Sequence, residues 1–185
     1  MTIAFGTAPD GTDDAINSFL NNFVQGGCLE MMPAKARFDP QDVSISESLR
    51  MYYLRTDDIA SPRPLDKATA GCWRHLLFSD GSVVNDICVD VDTDGKPIVV
   101  STSIDTPMTA STVAALQAAE DDPRTAGQDY EVRELHCVRP EYVAALWLHG
   151  VAGDLIVPMA PTVVAGPIAH HKVYDAADFL AWLKR

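Results

Sequence analysis

His75, Asp86 and Cys88 are residue types that can do covalent chemistry, and their spacing around Asp80-Gly81 brings them together. Asp-Gly marks a two-residue hairpin turn, because both central positions need positive φ. That turn sets Phe78 opposite Val83, His75 opposite Asp86 and Trp73 opposite Cys88. An imidazole, a carboxylate and a thiol then share one face of a ribbon. Such a set supports nucleophilic catalysis when a base activates the thiolate and a third group orients the base. Three features weigh against it. Reactive cysteines sit at helix N-termini or on loops rather than in mid-strand, and no oxyanion donor is evident. The register also puts Arg74 and Asn85 on the face expected to be apolar, and a one-residue slip would scatter the set. An exposed His–Asp pair beside a passive thiol is the simpler reading.

The stretch "DVDTDGKP", residues 90 to 97, raises metal chemistry. Asp90, Asp92 and Asp94 alternate ahead of Gly95, as they do at the start of a calcium loop. Such a loop closes with a bidentate glutamate at its twelfth position. Counted from Asp90 that position is Ser101, and Pro97 falls inside the loop. The β-branched flanks read better as a hairpin in which Val91 faces Ile98 and Val89 faces Val100, with Asp86, Asp90 and Asp92 turned to water. No metal or other cofactor is expected.

The remaining candidates are single side chains. Trp73, Trp147 and His149 lie on strand-like runs and are the candidates for lining a binding pocket, although a core tryptophan with a satisfied N–H explains Trp147 as well. His170-His171 and His136-Cys137 are adjacent pairs whose side chains diverge in extended chain, so neither makes a metal site alone. Cys28 follows Gly26-Gly27, which end a helix. Phosphate-binding, hydrolase, kinase and CxxC signatures are absent.

These residues need elements to hold them. Apolar residues at helical spacing predict helices over 12–25 and 111–123, the second capped by Ser111, and a terminal helix over 174–185 capped by Asp175. Strand-like runs occupy 49–55, 72–78, 83–91, 98–104, 130–138, 142–150 and 155–158. Hairpin connections dominate. The expectation is a single α+β domain over residues 1–185, with a mainly antiparallel sheet of meander and hairpins, about six to eight strands and about three helices.

Composition narrows the function classes. The chain has 185 residues with a formal net charge of −12, 47% hydrophobic and 22% charged residues, values ordinary for a soluble globular protein. Without a basic cluster, that charge disfavours nucleic acid as a partner. The first residues show no basic region followed by an apolar run, so no signal peptide is read. The apolar segment 155–169 is broken by Pro158, Pro161 and Pro167, which disfavours a membrane helix. Four cysteines without pairing motifs fit free thiols in a reducing cytoplasm. The sequence is therefore read as a non-catalytic, acidic protein-binding domain, accessory or immunity-like in role, with a protein partner or a homodimer contact through 155–169. The alternative is a small-molecule-binding domain or an enzyme whose site is assembled from scattered strand residues.

Overall fold

The structure is a computed structural model and describes residues 2–32, 38–39, 42–104, 106–137 and 142–184. Its strands are β1 (Thr2–Phe5), β2 (Ser44–Ile45), β3 (Leu49–Leu54), β4 (Thr69–Ser79), β5 (Ser82–Val91), β6 (Pro97–Ile104), β7 (Asp129–Cys137), β8 (Val143–Gly150), β9 (Leu155–Met159) and β10 (Tyr174–Asp175). The longer helices are α1 (Thr12–Gln25), α4 (Pro107–Asp121) and α5 (Ala176–Leu183), while α2 (Cys28–Met31) and α3 (Thr56–Ile59) are single turns. All ten strands join in one sheet, in the order β10-β9-β8-β7-β3-β4-β5-β6, with β1 along β7 and β2 along β4. Pairing is antiparallel except where β1 and β3 run parallel to successive parts of β7. The large, mostly antiparallel sheet with helices is an α+β arrangement.

Alternation in β8 shows how the helices cover the sheet. Ala144, Leu146 and Leu148 pack with Ala115 and Ala119 of α4. Ala145 and Trp147 point the other way, against Phe179 and Leu180 of α5. A strand covered on both faces reads as an unbroken apolar run, which is why 142–150 carries no period-two signal. Helix α1 lies on the α5 side, farther along the sheet, where Ile16 and Leu20 meet Leu77, Ile87 and Val89.

Two hairpin turns fall where the Asp-Gly pairs predict, but their registers differ from the expected ones. Phe78 does pair with Val83. A β-bulge between Leu77 and Phe78 then makes Leu77 pair with Asn85, His75 with Ile87, Arg74 with Cys88 and Trp73 with Val89. One extra residue moves everything beyond it to the other face. The bulge is stabilised on both sides: Leu77 and Ile87 gain α1, and Arg74 gains Asp86. The second turn is a three-residue loop, Thr93 to Gly95, closed by Asp92 N–H donating to the Lys96 carbonyl at 2.9 Å, with Gly95 at φ +77°. Val91 consequently pairs with Pro97 and Val89 with Val99, until a bulge after Cys88 pairs that residue with Ser101.

Two further expectations are corrected. Helix α4 starts at Pro107, four residues before the expected cap at Ser111. Thr106 caps it by accepting from Thr109 N–H, and proline suits the first helical position. The apolar segment 155–169 is covered over its first third rather than open throughout, and Pro161, Val163, Ala165, Pro167 and Ala169 are exposed. Its first five residues form β9, buried at every position, and Ile168 joins the core beneath α5. Val163 is the segment's exposed large aliphatic side chain. Among the described residues, no helix is long and apolar enough to cross a membrane.

Candidate functional site

The segment that follows β1 crosses over β4 before α1 begins. Gly11 caps α1 in the left-handed region at φ +84°, where a side chain would be strained. Thr12 Oγ1 donates to the Pro9 carbonyl at 2.7 Å and closes the turn. On the other side, Ser46 N–H donates to the Leu76 carbonyl and Leu76 N–H donates to Ser46 Oγ, both at 2.9 Å, pinning residues 44–48 to β4. Ser48 Oγ donates to the Gly6 carbonyl and ties the two segments together. Between them lies a cavity of about 620 Å³.

Its lining carries Asp10, Asp13, Asp14 and Glu47, and none of the described lining residues is a lysine or arginine. Asp13 and Asp14 suit the helix start, where the dipole favours negative charge. A second hollow of about 710 Å³ shares Asp10, Gly11 and Asp14 and runs along α1 to Asp92 and Lys96 at the β5–β6 tip. The two hollows adjoin at these shared residues, and the second carries one cation, Lys96, among its described lining.

His75 lines the cavity and is 4% exposed. Its Nδ1 lies 3.1 Å from the Ser46 carbonyl oxygen, which only accepts, so Nδ1 carries the proton. Burial pushes the ring below the ordinary histidine value, and this outweighs the Ser46 hydrogen bond and the Asp13 and Glu47 charges, which act the other way. The ring is therefore neutral and Nε2 is a bare acceptor. Nε2 is buried and has no hydrogen-bond partner among the described residues. Buried acceptors of this kind are normally satisfied. Acceptor and carboxylates together suit a cationic hydrogen-bond donor.

Asp86 and Cys88 are on the opposite face. Asp86 Oδ2 is 2.8 Å from Arg74 Nη2 and accepts from Thr109 Oγ1 at 2.8 Å. Arg74 Nη1 is 2.9 Å from Glu134 Oε2 and also donates to Thr112 Oγ1 at 2.9 Å. Glu134 Oε1 lies 2.7 Å from His136 Nε2, and His136 Nδ1 lies 2.9 Å from the Tyr142 hydroxyl. Burial raises the Glu134 carboxyl, but the Arg74 charge and the His136 hydrogen bond prevail and hold it at about 2. Asp86 is committed to Arg74 and cannot orient His75. Cys88 has its thiol pushed up, first by hydrogen bonding with Cys72 and then by burial. The nucleophilic set is thus not assembled.

The expected pocket aromatics fall into one register row, Trp147–Arg133–Arg50–Trp73, across four strands. The Arg50 guanidinium sits 3.4 Å from the Trp73 ring centroid, and Arg133 sits between Trp147 at 4.7 Å and Tyr52 at 4.8 Å. An arginine thus stacks on each of the two tryptophan rings. Trp73 Nε1 donates to the Thr7 carbonyl at 3.1 Å, beside the His75 cavity. His149 is exposed, edge-on to Trp147 at 5.6 Å and bonded to Asp154 at 2.7 Å. At the hairpin tip, Asp92 Oδ1 accepts from Asp94 N–H and Lys96 N–H, both at 2.9 Å, and Asp90 Oδ1 accepts from Val91 N–H. These carboxylates shape the turn. No cluster of three or more His, Cys, Asp or Glu side chains suited to a metal occurs among the described residues.

Sequence reasoning missed the cavity. Its one local signal was the run Asp10, Asp13, Asp14, which helix-dipole chemistry already explains. No family model, curated protein or solved structure shows significant similarity to this chain.

Proposed function

We propose that the protein is a non-catalytic binding module whose α1 groove accepts a basic segment of a protein partner, with one lysine or arginine side chain entering the cavity over His75. The buried, unpartnered Nε2 of His75, on a ring that lines a cavity shared with four carboxylate-bearing residues, is the observation that carries this reading. A Lys ammonium or Arg guanidinium supplies the missing donor, and carboxylates at the rim steer it in. The continuing groove toward Asp92 gives room for the flanking residues of an extended segment. An accessory or inhibitory role toward a basic protein is the form this binding takes.

The test is fluorescence anisotropy with a labelled eight-residue Lys/Arg peptide, and an acidic peptide as control. Saturable binding that weakens with salt, and is lost in His75→Leu and in Asp13→Asn/Asp14→Asn, supports the proposal. Absence of saturable binding, or binding indifferent to both variants, overturns it. The cavity volume also falls in the range of small-molecule sites, which favours a second reading, a small polyamine ligand. Spermidine binding with peptide-like affinity and the same variant dependence would select that reading instead.

A further inference from the structure

We propose a second site, independent of the groove, in which the sulfur atoms of Met51, Cys72 and Cys88 bind one copper(I) ion on the opposite face of the sheet. The three residues come from adjacent strands β3, β4 and β5. Cys72 Sγ lies 3.4 Å from Met51 Sδ, and Cys88 Sγ lies 3.7 Å from the same atom. Both cysteine sulfurs thus lie against the one Met51 sulfur.

The spacing suits a trigonal ion. Metal–thiolate bonds of roughly 2.3 Å place the three sulfurs about 4 Å apart. The two cysteine–Met51 separations, 3.4 and 3.7 Å, need about 0.6 and 0.3 Å of expansion. Ligand type selects the ion: a thioether with two thiolates is a soft donor set that favours copper(I) over magnesium, calcium or manganese. Entry is open at one side: Cys88 and Met51 are buried, whereas Cys72 is half-buried and opens the cluster to solvent. Arg74, the register partner of Cys88, is neutralised by Asp86 and Glu134, so its charge is offset at the site. Binding is ligand exchange without redox: copper(I) leaves its carrier, two Cu–S(thiolate) bonds and one Cu–S(thioether) bond form, and both thiol protons pass to solvent.

The test is an anaerobic titration of reduced protein with copper(I) held by a chromogenic chelator. One equivalent should be withdrawn from the chelator. Cys72→Ser should weaken retention beyond the roughly ten- to hundredfold that follows loss of a residue merely supporting a ligand. Met51→Leu should weaken it less while preserving the melting temperature, which separates a lost ligand from a lost fold. Cys28→Ser and His75→Leu should leave it unchanged, so this result and the groove result fail separately. No withdrawal of copper, or equal withdrawal by wild type and Cys72→Ser, overturns the site.

Discussion

Arg74 and His75 are neighbours on β4, and the pleat sends them to opposite faces. Both are almost fully buried, at 0% and 4% exposure. Arg74 enters a network in which its two Nη atoms bond to Asp86, Glu134 and Thr112, and Glu134 passes the network on to His136 and Tyr142, while Arg74 Nε has no partner among the described residues. His75 has one bond, at Nδ1, and a buried Nε2 without a partner among the described residues, and its ring lines a cavity that also carries carboxylates. A buried charge costs several kcal/mol unless its partners are in place, so the Arg74 side is a structural requirement. A buried neutral acceptor without a partner is a modest penalty, on the order of 1–3 kcal/mol, which a ligand can relieve. The same strand places a paired buried charge on one face and a neutral, singly bonded imidazole on the other.

The largest effect should come from breaking the paired side. Arg74→Met leaves Asp86 and Glu134 buried without their cation, and should lower stability by about 3–5 kcal/mol in urea unfolding. Survival of the fold with less than about 1 kcal/mol lost would mean the network relaxes or hydrates, and the contrast between the faces would collapse.

Acid sharpens the same contrast. The Glu134 carboxyl stands at about 2 in the folded protein, below its ordinary value. A depressed folded value contributes stability above the unfolded value of about 4.3, and this is lost as pH falls toward 2, on the order of 3 kcal/mol in all. Glu134→Gln should flatten stability between those limits. His75 carries a depressed value too, but as a base the sign reverses: its neutral folded ring loses to the unfolded chain, which takes up the proton first. That penalty appears as pH falls below about 6.5, and His75→Leu should remove it while changing stability near neutrality by only about 1 kcal/mol. Peptide binding should weaken over the same window as His75 takes up its proton.

The sequence revealed elements better than it revealed which side chains meet. Both Asp-Gly turns, α1, α5 and most strands follow from local residue chemistry. The register does not, because a bulge at Leu77/Phe78 is chosen by distant partners: Ile16 and Leu20 on one face, and Glu134 on the other. That single residue of offset separates His75 from Asp86 and joins Arg74 to it. The parallel pairing of β3 with β7 links residues about 80 positions apart and has no local signature. It is also what brings Arg50 beside Arg133, between Trp73 and Trp147 in the register row. The start of the apolar 155–169 segment reads as unpartnered because β9 is buried at every position. The cavity was hidden for the opposite reason: Asp13 and Asp14 already had an explanation at the helix start.

The smallest effect concerns the β5–β6 tip at the far end of the groove. Asp92 and Asp94 are both acidic and near the tip, yet the turn uses them differently. Asp92 Oδ1 accepts two backbone N–H groups, from Asp94 and Lys96, while Asp94 is exposed in the turn. Asp92→Ala should therefore cost about 1 kcal/mol through the lost turn bonds, and Asp94→Ala less than about 0.5 kcal/mol. In peptide binding the two should also part. Asp92 lines the groove beside Lys96, so Asp92→Asn should weaken a long basic peptide more than a single-lysine ligand that reaches only His75. Equal weakening of both ligands would mean the occupied site ends at the cavity, and the groove along α1 would not be part of it.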